Sequence, residues 1–204
     1  MKRTMKSWLK TMAVAMSLGL ACGPLMAAQG NPVNLNVTVT IQQVQITASN
    51  RDTGTDTVAL GTVLSGADTV VSAPISVTNS GNVTETYSLV IPSEPNGTWS
   101  SVASGTPGSE QYKLSGVFRA AAAAVPATGD YDVGDNDGFA VGTSKTANGA
   151  DILAVSADGG GAGTKGYQMA TTSNVNLWLK FHAPSSTVIT TEQTVVVRIS
   201  AQTP

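Results

Sequence analysis

Apolar and polar residues alternate at period two along much of the chain. Leu35, Val37, Val39 and Ile41 are interleaved with Asn36, Thr38, Thr40 and Gln42. Such a segment has one apolar and one polar face, the pattern of a half-buried β-strand. The phase then slips, because Val44, Ile46 and Ala48 take even positions. A bulge at Gln42-Gln43, or a crossing between sheets, accounts for the slip. Further on, Val71, Ala73, Ile75 and Val77 alternate, Asn79-Ser80-Gly81-Asn82 offers a turn, and Val83, Tyr87, Leu89 and Ile91 return. Gly81 and Asn82 tolerate positive φ, so this unit is predicted to be a β-hairpin, ended by Pro92 and Pro95. More strands are predicted over 112–118, 152–155, 175–183 and 194–201. In the third of these, Val175, Leu177, Leu179 and Phe181 share one face, while Trp178, Lys180 and His182 share the other. In the last, Val195, Val197, Ile199 and Ala201 face inward.

Helix signals are scarce. The run 120–124 is rich in Ala, but Gly116 before it and Pro126 after it leave room for a turn or two. Residues 28–204 hold 24 Thr and 18 Ser, and Thr suits the wet face of a strand better than a helix. Charged residues are 12% of the chain, about half the roughly 25% of ordinary globular proteins. That argues against a long helix or a coiled coil. Gly and Asp concentrate between 129 and 166, which reads as long loops around one short strand. About seven to nine strands separated by turn signals predict an all-β fold, an antiparallel Ig-like β-sandwich. A length of 204 residues suits one such domain, over residues 29–204.

Residues 1–28 read differently. Lys2, Arg3, Lys6 and Lys10 make a basic start, residues 12–21 are apolar, and Pro24 precedes the small residues Ala27 and Ala28. These are the three parts of a cleaved secretory signal peptide. The apolar run is about half the roughly 20 residues that a spanning helix needs, so no transmembrane anchor is expected in the mature chain. Cys22, the one cysteine, lies in this segment, and so do four of the eleven basic residues. The remainder has seven basic against thirteen acidic residues and no thiol. An acidic chain without a basic cluster carries no footprint for nucleic acid. The expected location is outside the cell, at the cell surface or in the periplasm.

Residues 65–99 read SGADTVVSAPISVTNSGNVTETYSLVIPSEPNGTW. A strand, the turn VTNSGN, a return strand with Tyr and Leu, and a Trp soon after resemble a bacterial extracellular Ig-like pattern. Similar segments occur in Ig-like modules of secreted glycosidases and in surface fibre subunits of the TasA/camelysin type. The resemblance covers about 35 residues of the chain. It implies a secreted sandwich with a binding or scaffolding role rather than a catalytic one.

Candidate chemistry is sparse. Asp130, Asp132, Asp135 and Asp137 crowd into GDYDVGDNDGF, and hard oxygen ligands on a flexible loop suit Ca²⁺. The EF-hand spacing fails at Gly134 and Val141, and Asp or Asn beside Gly also makes turns without any metal. The stretch 161–166 matches G-x-G-x-x-G, but a strand rather than a helix follows it, so it reads as a glycine loop. His182 is the only imidazole, and no G-x-S-x-G elbow accompanies it. Trp178 and Trp99 are candidates for stacking on sugar rings, with core packing as the competing use. Asn36, Asn82 and Asn96 match the N-x-[ST] sequon, a short pattern with little weight in a chain of bacterial type.

Three functions compete. The leading one is a secreted, non-catalytic structural or cell-surface protein, a subunit of an extracellular filament or matrix. Its partner is then a second copy of itself, and Leu35, Val37, Val39 and Ile41 form a strand that adds to a neighbour's sheet. The competing use of that strand, as the first strand of its own sandwich, is the one this reading favours. The second function is a carbohydrate-binding or adhesion module for surface polysaccharide, reading through Trp178 and Trp99. The third is a secreted hydrolase, which has to rely on His182 or the acidic loop. No cofactor is expected beyond the Ca²⁺ that the acidic loop suits.

Overall fold

The computed structural model describes residues 45–50, 58, 60–95, 99–131, 138–155 and 165–204. These form an all-β unit of two sheets, with no α-helix among the described residues. The leader at 1–28 and the strand segment at 34–42 lie outside the described residues.

The larger sheet is centred on β9 (Asn174–His182) and β6 (Gln111–Ala120). They pair antiparallel over eight positions, from Lys113↔His182 to Ala120↔Val175. On the far side of β9, β3 (Ile75–Asn79) and β2 (Asp68–Val70) follow one another along its length, and β1 (Ile46–Asn50) lies outside β3. Pro74, which has no amide to donate, sits in the gap between β2 and β3. The outer edge of β6 is covered piecewise. β5 (Ser100–Ser101) pairs near Gln111, β7 (Gly138–Phe139) pairs at Leu114 and Ser115, and Ala154 bridges to Phe118. The smaller sheet has the order β10 (Arg198–Gln202), β4 (Thr86–Val90), β8 (Lys145–Thr146).

The sheets share one core. Tyr87, Leu89 and Ile91 of the smaller sheet are fully buried beside Phe118, Leu177 and Val175 of the larger one. The Tyr87 and Phe118 rings lie 5.8 Å apart. Gly116 is needed where Leu89 crosses β6: a Cβ there would sit 3.1 Å from Leu89 Cδ1 and from Phe139 Cε1.

The hairpin predicted around 79–82 is not one. Its first strand, β3, belongs to the larger sheet, and its second, β4, to the smaller. The chain turns a corner between sheets, and Asn79 holds that corner. Its side chain is buried, donates from Nδ2 to the carbonyls of Val83 (2.8 Å) and Met169 (3.0 Å), and accepts from the Gly81 amide at 2.9 Å. Side chain–backbone bonds of this kind direct a turn without ladder pairing. Among the described residues, the strand predicted over 152–155 reduces to the Phe118↔Ala154 bridge, and the predicted terminal strand pairs from Arg198 onward. The Ala-rich run 120–124 makes a turn. The loop region 129–166 carries one 3₁₀ turn (Thr128–Tyr131), β7 and β8 in its described parts.

Alternation predicts a wet outer face for β9, but that face is covered. Trp178, Lys180 and Asn176 are buried, as are Lys113, Ser115, Val117 and Arg119 on β6. The covering chain is residues 121–131. Arg119 Nη1 donates to the Ala124 carbonyl (2.7 Å), Asn176 Nδ2 donates to the Ala121 carbonyl (3.0 Å), and Lys180 Nζ stands 5.7 Å over the buried Tyr131 ring.

Candidate functional site

The two sheets do not cover each other completely. A groove of about 1120 Å³ opens between them on the β10 side. Its floor is the inner face of the larger sheet, including Ile75, Leu177, Leu179 and Phe181. One wall is formed by Val58 and the stretch 60–65 and the other by the stretch 187–199. Val195, Val197 and Ile199 point into it and stay half-buried, as does Ile75 on the floor. Four large apolar side chains stand out as exposed among the described residues. Three of them, Leu64, Val188 and Val196, belong to the segments that wall the groove. Exposed apolar surface concentrated in one place marks an interaction site.

Among the described residues, the backbone of this wall is sparsely paired as well. β10 pairs with β4 on one side only, and no described residue pairs with its other edge. Residues 190–197 make no main-chain to main-chain hydrogen bond among the described residues. The cause is local. Continuing the β10–β4 register past Arg198↔Val90 brings this stretch opposite Ile91, Pro92 and Ser93. Pro92 has no amide to donate, and β4 ends there.

The far end of the groove is held by a hydrogen-bonded aromatic cluster. Trp99 stacks on Phe181 at 6.1 Å and lies 6.2 Å from Tyr112. Trp99 Nε1 donates to Thr187 Oγ1 (3.0 Å), which donates in turn to Glu110 Oε2 (2.8 Å). Glu110 Oε1 accepts from the Val188 amide at 2.6 Å. The Tyr112 hydroxyl donates to Glu94 Oε2 (2.9 Å), and Glu94 Oε1 accepts from the amide and hydroxyl of Ser101. Burial, then the Glu94 carboxylate, pushes the Tyr112 phenol above its ordinary range. The start of the 187–199 wall is therefore fixed before anything binds.

At the opposite end of β1, Gln45 is clamped at the Asn79 corner. Its amide donates to Glu85 Oε1 (2.7 Å), and its carbonyl accepts from the amide and hydroxyl of Ser80 (2.8 and 3.0 Å). Glu85 is fully buried, and its Oε2 has no hydrogen-bond partner. Desolvation raises its pKa, partly offset by the Gln45 amide. Tyr87, whose hydroxyl is also unpartnered, is pushed above its ordinary range by burial and by Glu85.

The residues singled out from the sequence fall in separate places. Trp178 is buried on the outer face of the larger sheet, whereas Trp99 packs with Phe181 of the inner face, so the two rings do not make one platform. Asp130 accepts from the Ala127 amide at 2.8 Å, the turn role of an Asp. Asp132, Asp135 and Asp137 lie outside the described residues, as do Leu35, Val37, Val39 and Ile41. The ends of that acidic stretch are anchored near cations: Tyr131 under Lys180, and Gly138 beside Lys113. His182 is half-buried, with Nδ1 at 3.1 Å from Asp68 Oδ1, its cross-strand partner on β2. Asp68 Oδ2 lies 3.9 Å from Lys180 Nζ. Gly166, the last glycine of the G-x-G-x-x-G stretch, serves packing. Its φ is +72°, and a Cβ there would meet Phe118 Cδ2 at 2.6 Å. The groove walls at 58, 60–65 and 187–193 carry no sequence signal of their own beyond scattered Val and Thr, and the turn signal at Asn79 does not distinguish a hairpin from a crossing between sheets. Val195, Val197 and Ile199 were legible as inward-facing.

No helix among the described residues is long and apolar enough to cross a membrane. The chain matches no protein-family model, no curated protein and no solved structure.

Proposed function

We propose that this is a secreted, non-catalytic structural protein of the cell surface or extracellular matrix, a subunit that joins copies of itself by strand addition into a filament or matrix. The observation that carries this reading is the apolar groove beside β10, lined by half-buried Val195, Val197 and Ile199 and flanked by exposed Leu64, Val188 and Val196. Val195, Val197 and Ile199 are half-buried at this groove, so a partner's apolar surface can cover them further. Exposed edges and apolar patches together promote association rather than remaining inert. The basic start, apolar run and small residues of 1–28 support export to a place where such assemblies form. Cross-strand addition supplies affinity through main-chain bonds and specificity through alternate side chains.

Electron microscopy of the secreted or purified mature chain tests the reading. Filaments or sheets of regular repeat are expected, and they are expected to be lost in Val197→Asp, which places a charge in the groove. A wild-type chain that remains monomeric in solution at high concentration overturns it.

A further inference from the structure

We propose that Asn148 is a site of self-modification, at which the fold promotes loss of the side-chain amide nitrogen and conversion of the residue to aspartate and isoaspartate. The attacking group is the backbone nitrogen of Gly149, and water is the co-reactant.

The sequence supplies the first requirement. A main-chain amide can attack the side-chain carbonyl of the Asn before it and close a cyclic imide. A side chain on the attacking residue obstructs that approach, and Gly has none. Asn148-Gly149 is such a pair. The fold holds Gly149 at φ +75°, where a Cβ would meet Tyr167 Cδ1 at 2.8 Å. The Gly149 amide donates no hydrogen bond among the described residues, so ring closure breaks none there. Asn148 is exposed, so water and hydroxide reach its side chain.

The loop supplies the second requirement. Asn148 Oδ1 accepts from three consecutive amides, those of Ala150 (2.9 Å), Asp151 (3.0 Å) and Ile152 (3.0 Å). Asn148 Nδ2 donates to Asp151 Oδ1, and the Asn148 amide donates to the Ile152 carbonyl at 3.4 Å, which closes the loop. Successive amides aimed at one point make a concavity suited to an anion. In the resting amide that oxygen is neutral, and on attack it takes up negative charge. Hydrogen bonds to an ionised acceptor are about twice as strong as those to a neutral one. The three bonds therefore stabilise the transition state more than the resting side chain, and the barrier falls. Asn79, which precedes Ser80, is the contrast: it is buried, and its Oδ1 accepts from the Gly81 amide alone among the described residues.

The steps balance with water as the reagent. The Gly149 nitrogen loses its proton to solvent base and bonds to Asn148 Cγ, while the carbonyl pair moves onto Oδ1. The pair returns, the Cγ–Nδ2 bond breaks, and the nitrogen leaves as ammonia after taking a proton from water. Water then opens the imide. Cleavage at Cγ gives aspartate, and cleavage at the main-chain carbonyl gives isoaspartate. The net change consumes water, releases ammonia and adds a negative charge beside Asp151.

The test compares the folded full chain with a synthetic peptide of residues 145–154 in the same neutral buffer. Peptide mapping by mass spectrometry follows the amide-to-acid change at Asn148, and chromatography separates the two products. Aspartate and isoaspartate are expected to accumulate in the folded chain about tenfold or more faster than in the peptide. With both in chemical denaturant, the two rates are expected to converge. A folded-chain rate equal to or below that of the peptide overturns the proposal, because the loop then protects the residue. Aspartate formed without isoaspartate overturns it as well, because direct hydrolysis then replaces the ring.

Discussion

The β6–β9 pair and the β10 flank both alternate at period two, yet among the described residues the first is enclosed on both faces and the second is only half-buried. At β6–β9, the inner face is closed by Tyr87 and Leu89 of the smaller sheet, and the outer face by residues 121–131. At β10, one edge pairs with β4 and the inward side chains look across a groove. The contrast shows that alternation decides which side chains share a face but not whether that face is covered. Cover comes from elements distant in sequence, and on the β10 flank the described chain supplies none. That is why the functional reading attaches to the flank and not to the better-packed centre.

The contrast can be broken from the closed side first. Phe118→Ala removes a fully buried ring that touches Tyr87 and fills the space over Gly166. It is expected to cost about 3–5 kcal/mol of unfolding free energy, measured by chemical denaturation. Gly166→Ala forces a side chain into positive φ and against that same ring, and is expected to cost about 2–4 kcal/mol. Asn79→Ala leaves the Val83 and Met169 carbonyls and the Gly81 amide without their partner. The expected loss is about 1–3 kcal/mol, with the β3–β4 corner becoming the first region to exchange its amides.

A pH experiment sharpens the comparison at the Gln45 clamp. The folded-state pKa of Glu85 is raised, so the folded protein holds that proton more tightly than the unfolded chain. Its contribution is present in full below the unfolded carboxylate range and is lost as pH rises through the folded value. Thermal unfolding of the wild type is therefore expected to show stability falling over that window, with a flatter profile in Glu85→Gln. Equal slopes would show that burial does not perturb this carboxyl. The smallest effect on the isolated subunit belongs to the open flank. Val197→Ala removes a half-exposed side chain and is expected to cost about 1 kcal/mol or less, while lowering the extent of assembly measured by sedimentation. A cost as large as that of Phe118→Ala would mean that the flank is as closed as the centre.

Much of the fold was legible along the chain. The central strands at 112–118 and 175–183, and the inward set Val175, Leu177, Leu179 and Phe181, follow from period-two alternation alone. The corner at Asn79 did not, because N-S-G-N is equally a hairpin turn and a crossing between sheets. The choice was made by strands far away, β9 and β1 claiming β3, and β10 claiming β4. The outer face of β9 misread for a related reason. Trp178 and Lys180 share the face opposite Leu177 and Leu179, and the 121–131 segment folds back over that face and buries them together with Asn176. Of the candidate site, the inward parity of Val195, Val197 and Ile199 was readable, but their partial burial beside a groove was not.

By itself, then, the sequence determined the class of element, the face on which each side chain lies, the scarcity of catalytic groups and the basic, apolar character of the first 28 residues. These are local properties, set by backbone preference and residue spacing. Only the tertiary structure decided which strands pair, which polar side chains are buried and where the core stops short. Those depend on long-range partners competing for the same edges and faces, and at residues 190–197 the competition ends at Pro92, with an edge that no described strand occupies.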